Sequence, residues 1–403
     1  MMATDQATPL PLRTQMPVYG TAFFSNSIPD LVLVVMQLWL IKLGTPLFVI
    51  GLVFGARYVG PLLFAIHGGS MMDRLGTRRV MIFFAAIMIV VPFVYPVAPW
   101  VSAVVILQLI SGMADSLGWV GTQTLTGQVL RGNPTYTGRL IFATRVGTFI
   151  GPPVAGAAWD LFGPWGGFIS LSLWGVGLMA SVWALPANAL SPPTAAPQPL
   201  LRAVTPRLTD YIAAFRLFSI PLMAVALFIT LLRQFGSGMQ NSFYAVYMDG
   251  IGMSGTLIGF LVAATGLTGV AALATGWLVQ RLKEFNLLIW TTIISIASIG
   301  IVPFFTDFIP LFIASSLRGA TMAISVVIIV SLIARTVGPE EQGRAMGLRT
   351  TCNQSGNVCI PVVMGTLAHF FGLEVAFYAV GVLGVALLLI AARWVRRIET
   401  PPV

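Results

Sequence analysis

Apolar residues run through the chain in long blocks separated by short polar stretches. From the N terminus the blocks fall at 17–42, 46–70, 79–97, 101–122, 140–161, 165–186, 217–245, 255–279, 286–305, 309–333, 346–371 and 374–394. An α-helix crosses hydrocarbon in about 20 residues, so each block predicts one membrane helix. The long interruption at 187–216 holds Pro192, Pro193, Pro197, Pro199, Pro206 and three arginines. It divides the twelve predicted helices into six and six. The expected organisation is a tail at 1–16, an N-terminal six-helix bundle at 17–186, a linker at 187–216, a C-terminal six-helix bundle at 217–394 and a tail at 395–403. Residues 1–16 lack the basic, apolar and small-residue regions of a cleaved signal peptide and read as a cytoplasmic tail.

Composition narrows the class. Of 403 residues, 57% are hydrophobic and only 9% charged, against about 25% charged in soluble proteins. That excludes a soluble enzyme, a disulfide scaffold and a disordered chain. The net charge of +9 would suit nucleic acid, but the positions of the basic residues argue for membrane topology. Sixteen of the 22 Lys and Arg fall in alternate loops and in the tails, including Arg74, Arg78, Arg79, Arg131, Arg139 and Arg281, whereas the opposite loops hold Lys42 and the acids Asp160, Asp249, Asp307 and Glu374. Basic loops are cytoplasmic. Both termini and the linker are therefore expected in the cytoplasm, in a multi-pass protein of a bacterial inner membrane, with no nucleic-acid partner. Cys352 and Cys359 read as buried thiols, and His67 and His369 are too far apart for a metal cage. No metal and no cofactor are expected.

The halves resemble each other. Gly69 to Leu75, after helix 2, matches Gly276 to Leu282, after helix 8, at an offset of 207. At an offset of 209, Gly147, Pro152 and Gly156 match Gly356, Pro361 and Gly365. Parallel repeats of this kind are common in secondary transporters.

The stretch Gly69-x-x-x-Asp73-Arg74-x-Gly76-x-Arg78-Arg79, between helices 2 and 3, resembles the signature loop of the major facilitator superfamily. The resemblance implies two pseudo-symmetric six-helix bundles, all α, and a loop that latches the cytoplasmic side. The second copy is degenerate, with Gln280 for the acid and Lys283 for the glycine. Helix 5 carries Gly147-x-x-x-Gly151-Pro152-Pro153-x-x-Gly156, which resembles the packing motif of the drug:proton antiporter branch and implies export by antiport. Three features depart from that branch: the proline is doubled at Pro152-Pro153, Ala155 stands where a second glycine is usual, and helix 4 has Gln108 to Gly112 without the expected arginine. Either proton coupling is arranged differently or the chain lies outside that branch.

Seven charges fall inside predicted helices: Asp30, Arg57, Asp115, Arg145, Arg233, Arg318 and Arg349. Each costs at least about 2.5–3.5 kcal/mol in hydrocarbon and so faces a cavity or a partner. Helices 3, 6, 9 and 12 hold none, as expected of outer, lipid-facing helices. Similar depth pairs Asp115 with Arg145, either as a structural pair or in a coupling role. Asp30, in the polar stretch from Asn26, is the first candidate for proton coupling and Asp115 the second, because desolvation and nearby arginines act on a carboxyl in opposite senses. Five arginines face two acids, and arginine cannot shed its proton. A bound anion resolves the imbalance. Arg233 and Arg318 are therefore candidate substrate ligands, and Arg57 either joins them or holds Asp30, with Asn26, Gln234, Asn241, Tyr244 and Trp119 as polar and aromatic companions.

These features point to a secondary transporter of a small amphipathic, anionic molecule. Its partners are the substrate, protons and the lipid bilayer, and it is expected to be monomeric. No Walker loop is present, and no enzyme activity is expected. Proton-coupled efflux is the leading expectation. An organic-anion or nutrient uptake carrier, driven by symport or exchange, is the alternative.

Overall fold

The computed structural model describes residues 10–64, 72, 76–130, 134–186, 212, 215–337 and 341–399. The described regular elements are all helical. They are α1 (Leu12–Lys42), α2 (Leu47–Phe64), α3 (Thr77–Val97), α4 (Val101–Gln128), a 50-residue element Pro134–Trp183 whose limbs 134–162 and 164–183 are α5 and α6, α7 (Pro221–Gly250), α8 (Gly255–Arg281), α9 (Glu284–Gly300), α10 (Phe308–Thr336), α11 (Gln342–Phe371) and α12 (Leu373–Glu399).

Nine described stretches qualify as membrane spans by length and apolar character. Three local features account for the other spans. Pro134–Trp183 contains two helices, broken where Gly163 takes φ 65°, a left-handed value that a side chain would strain. α9 is 17 residues long. α11 is diluted by Arg344, Arg349, Asn353, Gln354 and Asn357. The twelve-helix, two-bundle architecture read from the sequence is the observed fold. Large apolar side chains stay exposed around the bundle, among them Phe142, Leu161, Leu273 and Phe304, as a lipid-facing belt requires.

Ends and interiors differ in detail. α1 begins at Leu12, inside the expected tail, and α7 begins at Pro221, where a missing amide costs nothing in the first turn. α8 was expected to be continuous. Instead it tightens to a 3-10 helix over Gly269–Ala274 before resuming at Thr275. Its start is fixed by Ser254, whose side chain accepts from the Leu257 amide at 3.4 Å. Of the two cysteines read as buried, Cys352 is half-buried and Cys359 is exposed.

The halves meet along α2 with α11, α5 with α8, and α1 with α7. The connections α1–α2, α5–α6, α7–α8 and α11–α12 share one end of the bundle, and the halves are packed tightly there. A Cβ on Gly156 of α5 would lie 2.0 Å from the Gly255 carbonyl oxygen of α8, and one on Gly259 would lie 2.4 Å from the Pro152 carbonyl oxygen. Only glycine permits backbones this close. Gly147 makes a similar approach to Phe23 of α1, within the N-half. Among the described residues, Gln37 and Asp160 make polar contacts between the halves at this end. Gln37 of α1 donates to the Asn241 carbonyl at 3.0 Å and accepts from the Val246 amide at 3.0 Å. Asp160, at the end of α5, accepts from the amides of Gly255 and Thr256, both at 2.8 Å, and from the Thr256 hydroxyl at 2.6 Å. A carboxylate on these amides satisfies donors that the first turn of α8 leaves free and complements the helix dipole.

Candidate functional site

α7 places Arg233, Ser237, Gln240 and Asn241 on one face by their helical spacing. They open onto a cavity of about 550 Å³ between the halves, together with Asp30 of α1, Arg145 of α5 and Arg318 of α10. A second chamber of about 180 Å³ lies against α2 and α4 and shares Asn26 and Pro29 with the first. Together the two are lined from α1, α2, α4, α5, α7, α8, α10 and α11. None of the lining comes from α3, α6, α9 or α12, the four helices whose sequences carry no intramembrane charge.

In the C-half the arginines are held but not neutralised. Arg233 is 4% exposed, and its Nη2 donates to Asn353 Oδ1 of α11 at 2.8 Å. Among the described residues its Nε and Nη1 have no hydrogen-bond partner. Arg318 is 2% exposed; its Nη2 donates to Ser237 Oγ at 3.3 Å, and its Nε has no partner among the described residues. The tether in each case is a neutral group, which fixes the guanidinium without cancelling its charge. Arg145 reaches across from the N-half and donates to the Gly266 carbonyl at 3.2 Å. Gly269, at the start of the 3-10 turn, makes room for it: a Cβ there would lie 2.6 Å from Arg145 Nη1. Asp30 is the one carboxylate lining this cavity among the described residues. The cavity thus collects three guanidinium groups and one carboxylate. Arg349 is half-buried, and its Nε also has no hydrogen-bond partner among the described residues.

The N-half is arranged differently, and here the expected pairing is corrected. Asp115 does not pair with Arg145. It forms a buried ion pair with Arg57 of α2. Arg57 Nη1 also donates to Gln108 Oε1 at 2.9 Å and Ser111 Oγ at 3.3 Å. Gln108, Ser111 and Asp115 share one face of α4, and Gly112 on that face lets the α2 backbone close in. Arg57 was grouped with Arg233 and Arg318 as a substrate ligand. The structure separates them, because Arg57 already has a carboxylate.

The other candidates divide. Asn26 lines both chambers, and Gln234 and Asn241 line the larger one. Gln234 donates to Asn357 Oδ1 at 2.7 Å, and Asn241 donates to the Tyr58 hydroxyl at 3.2 Å. Trp119 lines the smaller chamber. Tyr244 does not line either chamber: it is fully buried towards the packed end, and its hydroxyl shares a hydrogen bond of 2.6 Å with Ser315 Oγ. Sequence reasoning missed Tyr58, Ser237, Thr148 and Thr265 on the walls. Ser237 was detectable, being one helical turn from both Arg233 and Gln240.

Gly69, Asp73 and Arg74 of the signature stretch lie outside the described residues. Gly76 caps the start of α3 at φ 85°, and Arg78 ties α3 to the end of α6 by donating to the Trp183 carbonyl at 2.8 Å. Arg79 is exposed. Among the described residues, no His, Cys, Asp or Glu cluster could hold a metal ion.

No curated protein matches the sequence closely enough to count as a relative. Solved structures match over nearly the whole chain. A point mutant of the nucleoside transporter NupG superposes with a TM-score of 0.76 at 14% identity, covering 94% of this chain and 99% of that one. Unmutated NupG gives 0.75 at 14% identity, covering 96% and 100%. At that identity the likeness is one of fold. The family profile of the Major Facilitator Superfamily matches residues 16–232 and again 226–403. With two six-helix bundles around a polar central cavity and this match across both, the chain belongs to the major facilitator superfamily and is a multi-pass membrane transporter.

Proposed function

We propose that the chain carries a small organic anion by alternating access, with Arg233 and Arg318 binding the anion and Asp30 taking the coupled proton. One observation carries the proposal: two arginines, each at least 96% buried, line the cavity, and each keeps a buried guanidinium nitrogen without a hydrogen-bond partner among the described residues. Unpaired buried charge costs several kcal/mol, and arginine cannot discharge itself. An anion entering the cavity offsets that cost, and binding energy of this kind distinguishes an anion from a neutral analogue of the same shape.

The position of Asp30 bears on coupling. A proton on Asp30 removes the negative charge that shares the cavity with the arginines, so protonation strengthens anion binding. Proton and anion then bind together and travel together, which is symport. The Gly147 to Gly156 stretch of α5 favours a second reading, proton-coupled efflux. In both, the bodies at 17–186 and 217–394 rock against each other around the cavity. The basic loops face the cytoplasm of a bacterial cell, and the chain works as a monomer without a cofactor.

Proteoliposomes with an imposed pH gradient test this. Symport accumulates a labelled organic anion when the interior is alkaline, and antiport accumulates it when the interior is acidic. Flux that ignores the gradient removes proton coupling. Equal flux of the anion and its neutral amide removes the anion site.

A further inference from the structure

The smaller chamber takes no part in the scheme above, yet it adjoins the anion cavity. Asn26 and Pro29 belong to the walls of both. A gap of about 60 Å³ beside Asp30, Arg57, Tyr58 and Asn241 lies between them. The chamber's volume of about 180 Å³ is the size of an aromatic ring: an apolar cavity of roughly 150 Å³ holds benzene. Its walls are made for a ring. Tyr58, Pro61 and Trp119 contribute ring side chains to the lining, and Ser25, Asn26 and Gln354 contribute polar ones. Asp115 is 91% buried by its 9% exposure, lines the chamber, and its Oδ1 has no hydrogen-bond partner among the described residues. A ring that carries a hydrogen-bond donor suits a wall that contains this carboxylate. The Arg57–Asp115 pair is neutral as a unit, so the chamber has no charge preference of its own, unlike the cavity beside it.

We infer that the chamber between α1, α2, α4 and α11 is a ring-binding subsite, and that the substrate is an aromatic or heteroaromatic acid with a donor on its ring. The acid group lies on Arg233 and Arg318 and the ring lies against Tyr58 and Trp119. Gln354 comes from the C-half, so the ring wall contains both bodies of the transporter and is dismantled when they move apart. The inference rests on the anion reading, and its test separates the two.

The probes are 4-hydroxyphenyl acids with short side chains of graded length, their saturated cyclohexyl counterparts, and the corresponding neutral amides. Binding is read on the purified full chain by thermal stabilisation. Wild type is expected to bind the best ring acid about tenfold more tightly than its saturated counterpart, the size of an aromatic contact beyond area burial. Trp119→Leu is expected to bring the ring acid down to the saturated acid, and Arg318→Gln to weaken both acids together. Ring-acid quenching of tryptophan fluorescence, lost in Trp119→Phe, gives the same answer if the leucine variant does not fold. Equal binding of ring and saturated acids by wild type, or a ring advantage that survives in Trp119→Leu, overturns the subsite and leaves the anion reading standing. Amides that bind as tightly as acids, or no binding by any probe, overturn both.

Discussion

Arg57 and Arg318 occupy comparable depths in opposite halves, and both are almost wholly buried. The first is matched by Asp115 and braced by Gln108 and Ser111. The second has a serine hydroxyl and a cavity. The same residue type therefore serves two purposes. In the N-half it is part of the folded scaffold, and in the C-half its hydrogen-bond partner among the described residues is neutral. What distinguishes them is whether a carboxylate stands within reach on the neighbouring helix.

Several experiments break or sharpen that contrast. The largest effect belongs to the paired side. Arg57→Ala strands Asp115 and is expected to destabilise the protein by about 3–5 kcal/mol, whereas the double change Arg57→Met with Asp115→Leu recovers most of the loss. Chemical unfolding in mild detergent reads both. On the other side, Arg318→Gln is expected to weaken an organic anion by about 2–4 kcal/mol, or roughly 30- to 700-fold in Kd, and to spare its amide. Isothermal titration measures it, and a loss shared by the amide would erase the contrast. Ser237→Asp gives Arg318 the carboxylate it lacks, which turns the C-half into a likeness of the N-half. Anion affinity should fall about tenfold or more with Arg318 still present. A smaller effect, on the order of 1 kcal/mol, is expected in the apo protein. Arg318→Met should raise its melting temperature, where Arg57→Met alone lowers it. The smallest effect is at the packed end: Asp160→Ala should cost its closed form about 1 kcal/mol. Distance measurements between labels at Thr45 and Gly250, where an added side chain meets open space, would register it as a shift toward separation of the halves.

The fold was legible because lipid imposes a length and an apolar run on every span. The charged residues were legible for the same reason, since hydrocarbon makes each of them expensive. Their pairing was not. Counting from helix ends gives depth along the axis, and by depth Asp115 suits Arg145. Which residues meet is also decided by direction around the axis and by which helices are neighbours. Gln108, Ser111 and Asp115 form a stripe that includes Gly112, and that stripe faces α2. Tyr244 failed in the complementary way. It lies on the same face of α7 as Arg233 and Gln240, but beyond the cavity, where α7 packs against α10. The break in α8 at Gly269 was hidden because nothing in an apolar run of small residues announces a change from one helix type to another.

Asp160 binds the first amides of α8, and two of its three donors are main-chain groups. A main-chain donor does not depend on the side chain its residue carries, but the first of these requires that position 255 carry almost none: a Cβ on Gly255 would lie 2.9 Å from Asp160 Oδ1. Drift in the C-half is therefore held at Gly255 and freer at Thr256, whose hydroxyl is one donor of three. A population of variants exploring how long the carrier rests with this end shut would find its adjustments at positions 160 and 256 and few at 255.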